Sequence, residues 1–191
     1  MVTSIESPSK ISLEEFLLLP ETKPASEYVE GQISQKAMPQ GKHSTLQFEF
    51  PSVINRVGKP QKLAYAFPEL RCTFGGRSLV PDIAVFEWPR IPLNSLGKIE
   101  NRFEIAPDWT IEILSPEQSS SRVINKILFC LKNHTKLGWM IDPEEELVIV
   151  FKPQQEPEIK ENEDILPVLD VLSDLQMSAD DLFGLLSFDR P

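Results

Sequence analysis

Val80-Pro81-Asp82-Ile83-Ala84-Val85-Phe86 and Trp109-Thr110-Ile111-Glu112-Ile113-Leu114-Ser115 are both short apolar runs rich in β-branched residues, and one carboxylate interrupts each. Runs of this length, bounded by Pro, Gly or Ser, read as buried strands. A carboxylate inside such a strand is costly to desolvate unless a partner neutralises it or it binds something. Two of them, in neighbouring strands, can offer oxygens to one hard divalent cation.

The rest of the chain falls into place around these two runs. On the N-terminal side, Ser12 followed by Leu13-Glu14-Glu15 is a capping box opening a short helix that stops by Pro20. Ser26 to Ile33 enters a first strand, with Gly31 at a turn. Pro39 to Lys42 reads as a loop. His43 to Val57 has helical spacing through Leu46, Phe50, Val53, Ile54 and Val57, with Gly58 placed as its C-cap. Pro51 either kinks that helix or starts a fresh one. Lys62–Phe67 and Arg71–Phe74 read as strand segments, and Gly75-Gly76 turns the chain into one strand from Ser78 to Phe86.

Between the two carboxylate runs, residues 88–107 contain Pro89, Pro92 and Pro107 and little periodicity, which suggests a long loop over the site. Beyond the second run, Ser119-Ser120-Ser121 leads a helix of about 15 residues towards His134. Leu137–Ile141 and Leu147–Phe151 are strands. After Pro153 comes an acidic stretch containing Leu166-Pro167-Val168-Leu169, and Ser178 caps a last helix reaching about Leu186. Residues 1–10 read as a disordered lead. The expectation is one α/β domain over residues 1–191, a mixed sheet flanked by helices, with the acidic part 153–191 packing on the core.

The length suffices for one sizeable core, and 41% apolar with 25% charged residues places the chain among ordinary globular proteins. No apolar stretch approaches the ~20 residues that span a bilayer. Met1 to Lys10 has no basic start followed by an apolar core, so a cytoplasmic protein without a membrane partner is expected. Cys72 and Cys130 are too few and too far apart for a disulfide framework, and with two histidines they do not suggest zinc.

A net charge of −10 argues at first against a nucleic-acid partner, but residues 144–191 hold 13 acidic against 3 basic side chains and carry the whole excess. Residues 31–81 hold Lys36, Lys42, Arg56, Lys59, Lys62, Arg71 and Arg77 against Glu49 and Glu69. Residues 121–140 hold Arg122, Lys126, Lys132 and Lys136 with no acid. Local basic surface of this kind suits phosphate, and equally a solvated face.

Val80-Pro81-Asp82-Ile83-Ala84-Val85, Glu112-Ile113-Leu114-Ser115-Pro116 and a following helix with Lys126 occur in an order that resembles the PD-(D/E)XK nuclease superfamily and its restriction-endonuclease-like fold. With Glu27-Tyr28-Val29-Glu30-Gly31, Leu137-Gly138-Trp139-Met140-Ile141-Asp142-Pro143, Leu166–Leu169 and Leu182–Leu186, the chain is similar over residues 12–186 to a family of small single-domain restriction-endonuclease-like proteins. The resemblance implies a magnesium-dependent phosphodiesterase acting on DNA. The function expected is a DNA endonuclease in which manganese can substitute, working as a homodimer so that both strands can be cut. The resemblance also implies Asp82 and Glu112 as metal ligands with the Ile113 carbonyl as a third, Glu27 as an upstream acid supporting metal or water, and Lys126 as the catalytic lysine. The superfamily's usual lysine, two residues after the acid, is replaced here by Leu114. Phe129 and Cys130 stand where the family often has tyrosine. Lys36, Lys42, His43, Arg71 and Arg77 are the residues expected on DNA.

Each residue has a plainer reading. Asp82 after Pro81 can be a strand-end turn residue, although the strand continues past it. Glu112 can be structural if a basic partner reaches it. Lys126 shares a polar helical stripe with Arg122, Phe129, Asn133 and Lys136 and can face solvent. Glu30 stands close enough to Glu27 to take its place, and His43 can be a phosphate contact, a proton shuttle or a surface cap. Two rivals to the enzyme follow: a nuclease-fold module that binds DNA or protein without cutting, and an acidic adaptor whose residues 144–191 dock a basic partner.

Overall fold

Pro81 has no N–H to give to a strand ladder, and the chain changes sheets at that point. In the computed structural model, which describes residues 10–116 and 118–188, the expected strand from Ser78 to Phe86 is two strands belonging to different sheets. The expected lead at residues 1–10 lies, but for Lys10, outside the described residues.

The smaller sheet is antiparallel. Its strands are β1 (Ser26–Val29), β2 (Gln32–Gln35), β4 (Cys72–Phe74) and β5 (Arg77–Leu79), in the order β2-β1-β5-β4. Glu30 and Gly31, both at positive φ, make the two-residue turn between β1 and β2.

The larger sheet has the order β10-β9-β8-β7-β6-β3. It is built from β3 (Ala64–Pro68), β6 (Ile83–Glu87), β7 (Trp109–Ile113), β8 (Leu137–Asp142), β9 (Leu147–Phe151) and β10 (Glu158–Glu161). Only β7 and β8 are parallel, and helix α3 (Ser120–Lys132) is the crossover that such a pair requires. β10 reads Glu-Ile-Lys-Glu and is almost wholly exposed at the sheet edge, so no apolar alternation announced it.

The faces of β6 and β7 follow the period of two. Ile83, Val85, Trp109, Ile111 and Ile113 point into the main core, where helix α2 (Gly41–Gly58) supplies Leu46, Phe50 and Ile54. Phe50 stacks on Trp139, with ring centroids 5.5 Å apart, and meets Trp109 edge-on. The C-terminal segment adds Leu166, Leu169, Leu172, Leu175, Met177, Leu182 and Phe183 to this cluster, so it is part of the core. Its last helix, α4 (Ala179–Gly184), starts from a Ser178 capping box. On the opposite face, Val123 and Ile127 of α3 pack on Met140 and Phe151. Ala84 and Phe86 pack on Cys72 and Phe103.

Other expectations are refined. Helix α1 (Leu13–Leu17) begins with the expected capping box, Ser12 Oγ accepting from the Glu15 amide. Helix α2 runs unbroken through Pro51. Gly58 is its last residue, not a left-handed cap: a Cβ there would lie 2.5 Å from the Ala64 carbonyl oxygen, so glycine allows the helix end to meet β3. The segment 88–107 is largely irregular, but Phe103 is buried over Cys72, Ala84 and Phe86, and the partners of Asp82 and Glu112 come from other parts of the chain.

Candidate active site

The ladder between β6 and β7 pairs Val85 with Trp109, Ala84 with Thr110 and Ile83 with Ile111. One more step in that register sets Asp82 across from Glu112, and side chains directly opposite on antiparallel strands share a face. β5 ends at Leu79 and β6 begins at Ile83, so Asp82, just after Pro81, sits at the parting of the two sheets. Its Oδ2 accepts the Ile113 amide at 2.8 Å, tying it to the strand that carries Glu112.

Three other elements deliver cations and acids to this pair. From α3, Lys126 Nζ reaches Glu112 Oε1 at 2.9 Å and Oε2 at 3.0 Å, Glu27 Oε1 at 2.5 Å and the Val80 carbonyl at 3.0 Å. The polar stripe on α3 thus does not turn Lys126 to solvent, for its side chain is only 12% exposed. From β1, Glu27 also accepts the Val80 amide at 2.7 Å. Glu30, its sequence rival, pairs instead with Arg77 at the surface.

Lys36, just past the end of β2, donates to Asp82 Oδ1 at 2.5 Å and to the Val80 carbonyl at 2.9 Å. Two ammonium groups therefore share one main-chain oxygen. From α2, His43 Nε2 stands 3.2 Å from Asp82 Oδ1, and its Nδ1 is 3.0 Å from Ser115 Oγ.

The remaining basic residues expected on DNA lie apart from this cluster. Lys42 pairs with Glu144 beside a shallow depression lined by Gln40, His43, Leu114, Pro116 and Pro143. Arg71 pairs with Glu21. Arg77 pairs with Glu30 and lies over the Phe129 ring, 4.0 Å from its centroid. Sequence reasoning grouped Lys36 with these surface cations and did not single out Ser115 or the Val80 carbonyl. Lys36 follows an exposed strand with no apolar pattern, and the other two carry no chemical signature, so only the fold reveals them.

Asp82 and Glu112 are each 2% exposed. Burial opposes ionisation of Asp82, yet the Lys36 ammonium, the hydrogen bond and charge of His43, and Lys126 outweigh it and hold the carboxyl well below its usual range. Burial dominates at Glu112. With Asp82 and Glu27 adding repulsion, and despite Lys126 and Lys36, it pushes that carboxyl up to about 7. Lys126 is held above its ordinary value because Glu112, Glu27 and Asp82 together overcome its own desolvation. Burial raises Cys130, which stands on α3 near the site, up to about 12 and leaves it an inert thiol.

The donor set suits a hard divalent cation. Asp82 Oδ1 and Glu112 Oε1 are carboxylate oxygens, and Glu112 Oε1 is buried without a well-aligned hydrogen-bond donor. Among the described residues no three His, Cys, Asp or Glu side chains gather closely enough to hold an ion alone. Such an ion would draw the rest of its shell from water, main-chain carbonyls and substrate, which is the habit of magnesium.

A family model described as "Putative restriction endonuclease" (Uma2) matches residues 13–180. A crystal structure from Anabaena variabilis, described as a putative nuclease belonging to DUF820, is 59% identical and superposes with a TM-score of 0.90, covering 93% of this chain and 99% of that one. A DrdV–DNA complex aligns at 14% identity over 74% of this chain and 11% of that one, with a TM-score of 0.36, too loose to carry an argument. No curated protein sequence matches. No helix among the described residues is long and apolar enough to cross a membrane. A family match over most of the length and a near-complete superposition at this identity make the chain a member of the Uma2 family of restriction-endonuclease-like proteins.

Proposed function

We propose that this protein is a magnesium-dependent DNA endonuclease whose site is Asp82, Glu112, Lys126 and Glu27. The observation that carries the reading is the meeting of Asp82 and Glu112 across the end of the β6/β7 ladder, with the Lys126 ammonium between Glu112 and Glu27. The nuclease description of the Anabaena protein supports it. Asp82 and Glu112, with the Ile113 carbonyl, would hold magnesium or manganese, which when bound polarises the phosphate and acidifies water. Glu27 fixes Lys126, whose positive charge, held beside the carboxylates, offsets the negative charge that grows on the phosphate. His43, held by Ser115, keeps Asp82 in place. Lys42, on the rim of the depression beside His43, and Lys36 are the cations nearest an incoming strand. Cutting both strands calls for two such sites, and a homodimer provides them.

Conversion of supercoiled plasmid to nicked circles tests the reading. Cleavage is expected with Mg²⁺ or Mn²⁺ and not with EDTA, and Asp82→Ala or Glu112→Ala should lower it by at least about 100-fold. Undiminished cleavage in either variant would remove the assignment. A second reading, a nuclease-fold module that binds without cutting, draws on the lysines that already occupy both carboxylates. It predicts salt-sensitive DNA binding, no cleavage and no effect of divalent ions.

A further inference from the structure

The two lysines of the site are not equivalent. Lys126 has three acceptors around Nζ, namely Glu112, Glu27 and the Val80 carbonyl, enough for all three of its N–H groups. Lys36 has two, Asp82 Oδ1 and the same carbonyl. Lys126 projects from a helix packed into the sheet through Val123 and Ile127, whereas Lys36 leaves the end of β2, an edge strand whose four residues are all exposed.

The two oxygens of Asp82 also differ. Oδ2 is committed to the Ile113 amide, so Oδ1 is the oxygen left to meet a cation; Lys36 occupies it at 2.5 Å, with His43 Nε2 farther off at 3.2 Å. Three carboxyl groups, Glu27, Asp82 and Glu112, meet two lysines here, so the charges of the cluster nearly cancel as it stands.

We propose that Lys36 is a built-in, displaceable counter-ion of Asp82, which holds the cation-free site together and competes with the divalent ion for Oδ1. The inference rests on the metal-dependent reading above and adds to it a residue that sets how tightly the ion binds. Lys36 must leave Oδ1 before the ion can take it, so removing its charge strengthens ion binding while weakening the ion-free fold. Lys126, held on three sides, stays.

Calorimetric titration of Mn²⁺ into wild type and Lys36→Gln, with no DNA present, tests it. Lys36→Gln is expected to bind at least about tenfold more tightly, because one positive charge beside the ion is gone. It should melt lower than wild type in EDTA and gain more in Tm from Mn²⁺. Equal or weaker binding by Lys36→Gln would overturn the inference and leave the metal site standing. Absence of Mn²⁺ binding in wild type and variant alike would overturn the metal site itself and the inference with it. Should Lys36→Gln fail to fold in EDTA, the wild type supplies the answer through its ¹⁵N-labelled lysine ammonium resonances. The Lys36 signal, protected while bonded to Asp82, should be lost to exchange on saturation with Mg²⁺ while that of Lys126 remains. Retention of both would count against displacement.

Discussion

Glu112 is a buried carboxyl that keeps its proton into the neutral range, and this has a consequence for stability. Its folded value of about 7 stands above the ordinary 4.5, chiefly through burial. Between those two values the folded chain holds a proton that the unfolded chain has released. Stability from this residue is therefore complete below about pH 4.5 and is lost as pH rises through about 7. The ceiling is roughly 3 kcal/mol, at 1.36 kcal/mol per unit. Glu112→Gln keeps the shape and removes the titration. In EDTA, the wild type should lose thermal stability between about pH 5 and 8 relative to Glu112→Gln, and the variant should be the more stable at the upper end. Asp82 acts with the opposite sign and in another window, because its depressed value gives stability present above its ordinary value of 3.8 and lost below it. Parallel melting curves for the two proteins across that range would show that Lys126 neutralises Glu112 fully.

At the scale of elements, α3 delivers Lys126 only because β8 lets it come close. Gly138 lies on β8 under the helix, and a Cβ there would stand 2.3 Å from Ile127 Cγ2. Ile127 is fully buried and β-branched, so it has little freedom to move aside. Gly138→Ala should push α3 off the sheet, carrying Lys126 with it. About 1–3 kcal/mol of stability should be lost on urea unfolding, and plasmid nicking should fall as well. An unchanged midpoint would mean that the helix tolerates the methyl.

This contact also marks how far sequence reasoning reaches. The apolar runs at 109–113, 137–142 and 147–151 and the helix between the parallel strands were legible from periodicity and caps alone. Two things were not. The register that sets Asp82 across from Glu112 is a long-range property, decided by where Pro81 breaks the strand between the two sheets. The approach of Lys36 depends on how the β1–β2 hairpin pairs with β5, and nothing in the stretch Gln32 to Lys36 encodes a destination.

For the molecule as a whole, the large sheet divides the charge. The acidic C-terminal segment joins α2 on one face through its leucines, and α3, which carries Arg122, Lys126 and Lys132, lies on the other. A chain of net charge −10 can therefore still present a face that phosphate tolerates. Four of the protein's surface cations are already paired, however. Lys42 is paired with Glu144, Arg71 with Glu21, Arg77 with Glu30 and Lys136 with Glu87. A cation already neutralised within the protein has little counter-ion release to offer unless its acid partner moves away. DNA binding by this protein should accordingly depend only shallowly on salt. The slope of log K against log salt is expected near that of about 2 to 4 phosphate contacts, well short of the 6 to 10 of a strongly basic binder. Fluorescence anisotropy of a short duplex, measured with Ca²⁺ in place of Mg²⁺ between about 50 and 200 mM NaCl, reads the slope directly. Replacing Glu21, Glu30 and Glu144 by glutamine releases three cations, so the triple variant should bind more tightly and more steeply. An equally steep slope before and after that change would mean that these pairs already open on contact with DNA.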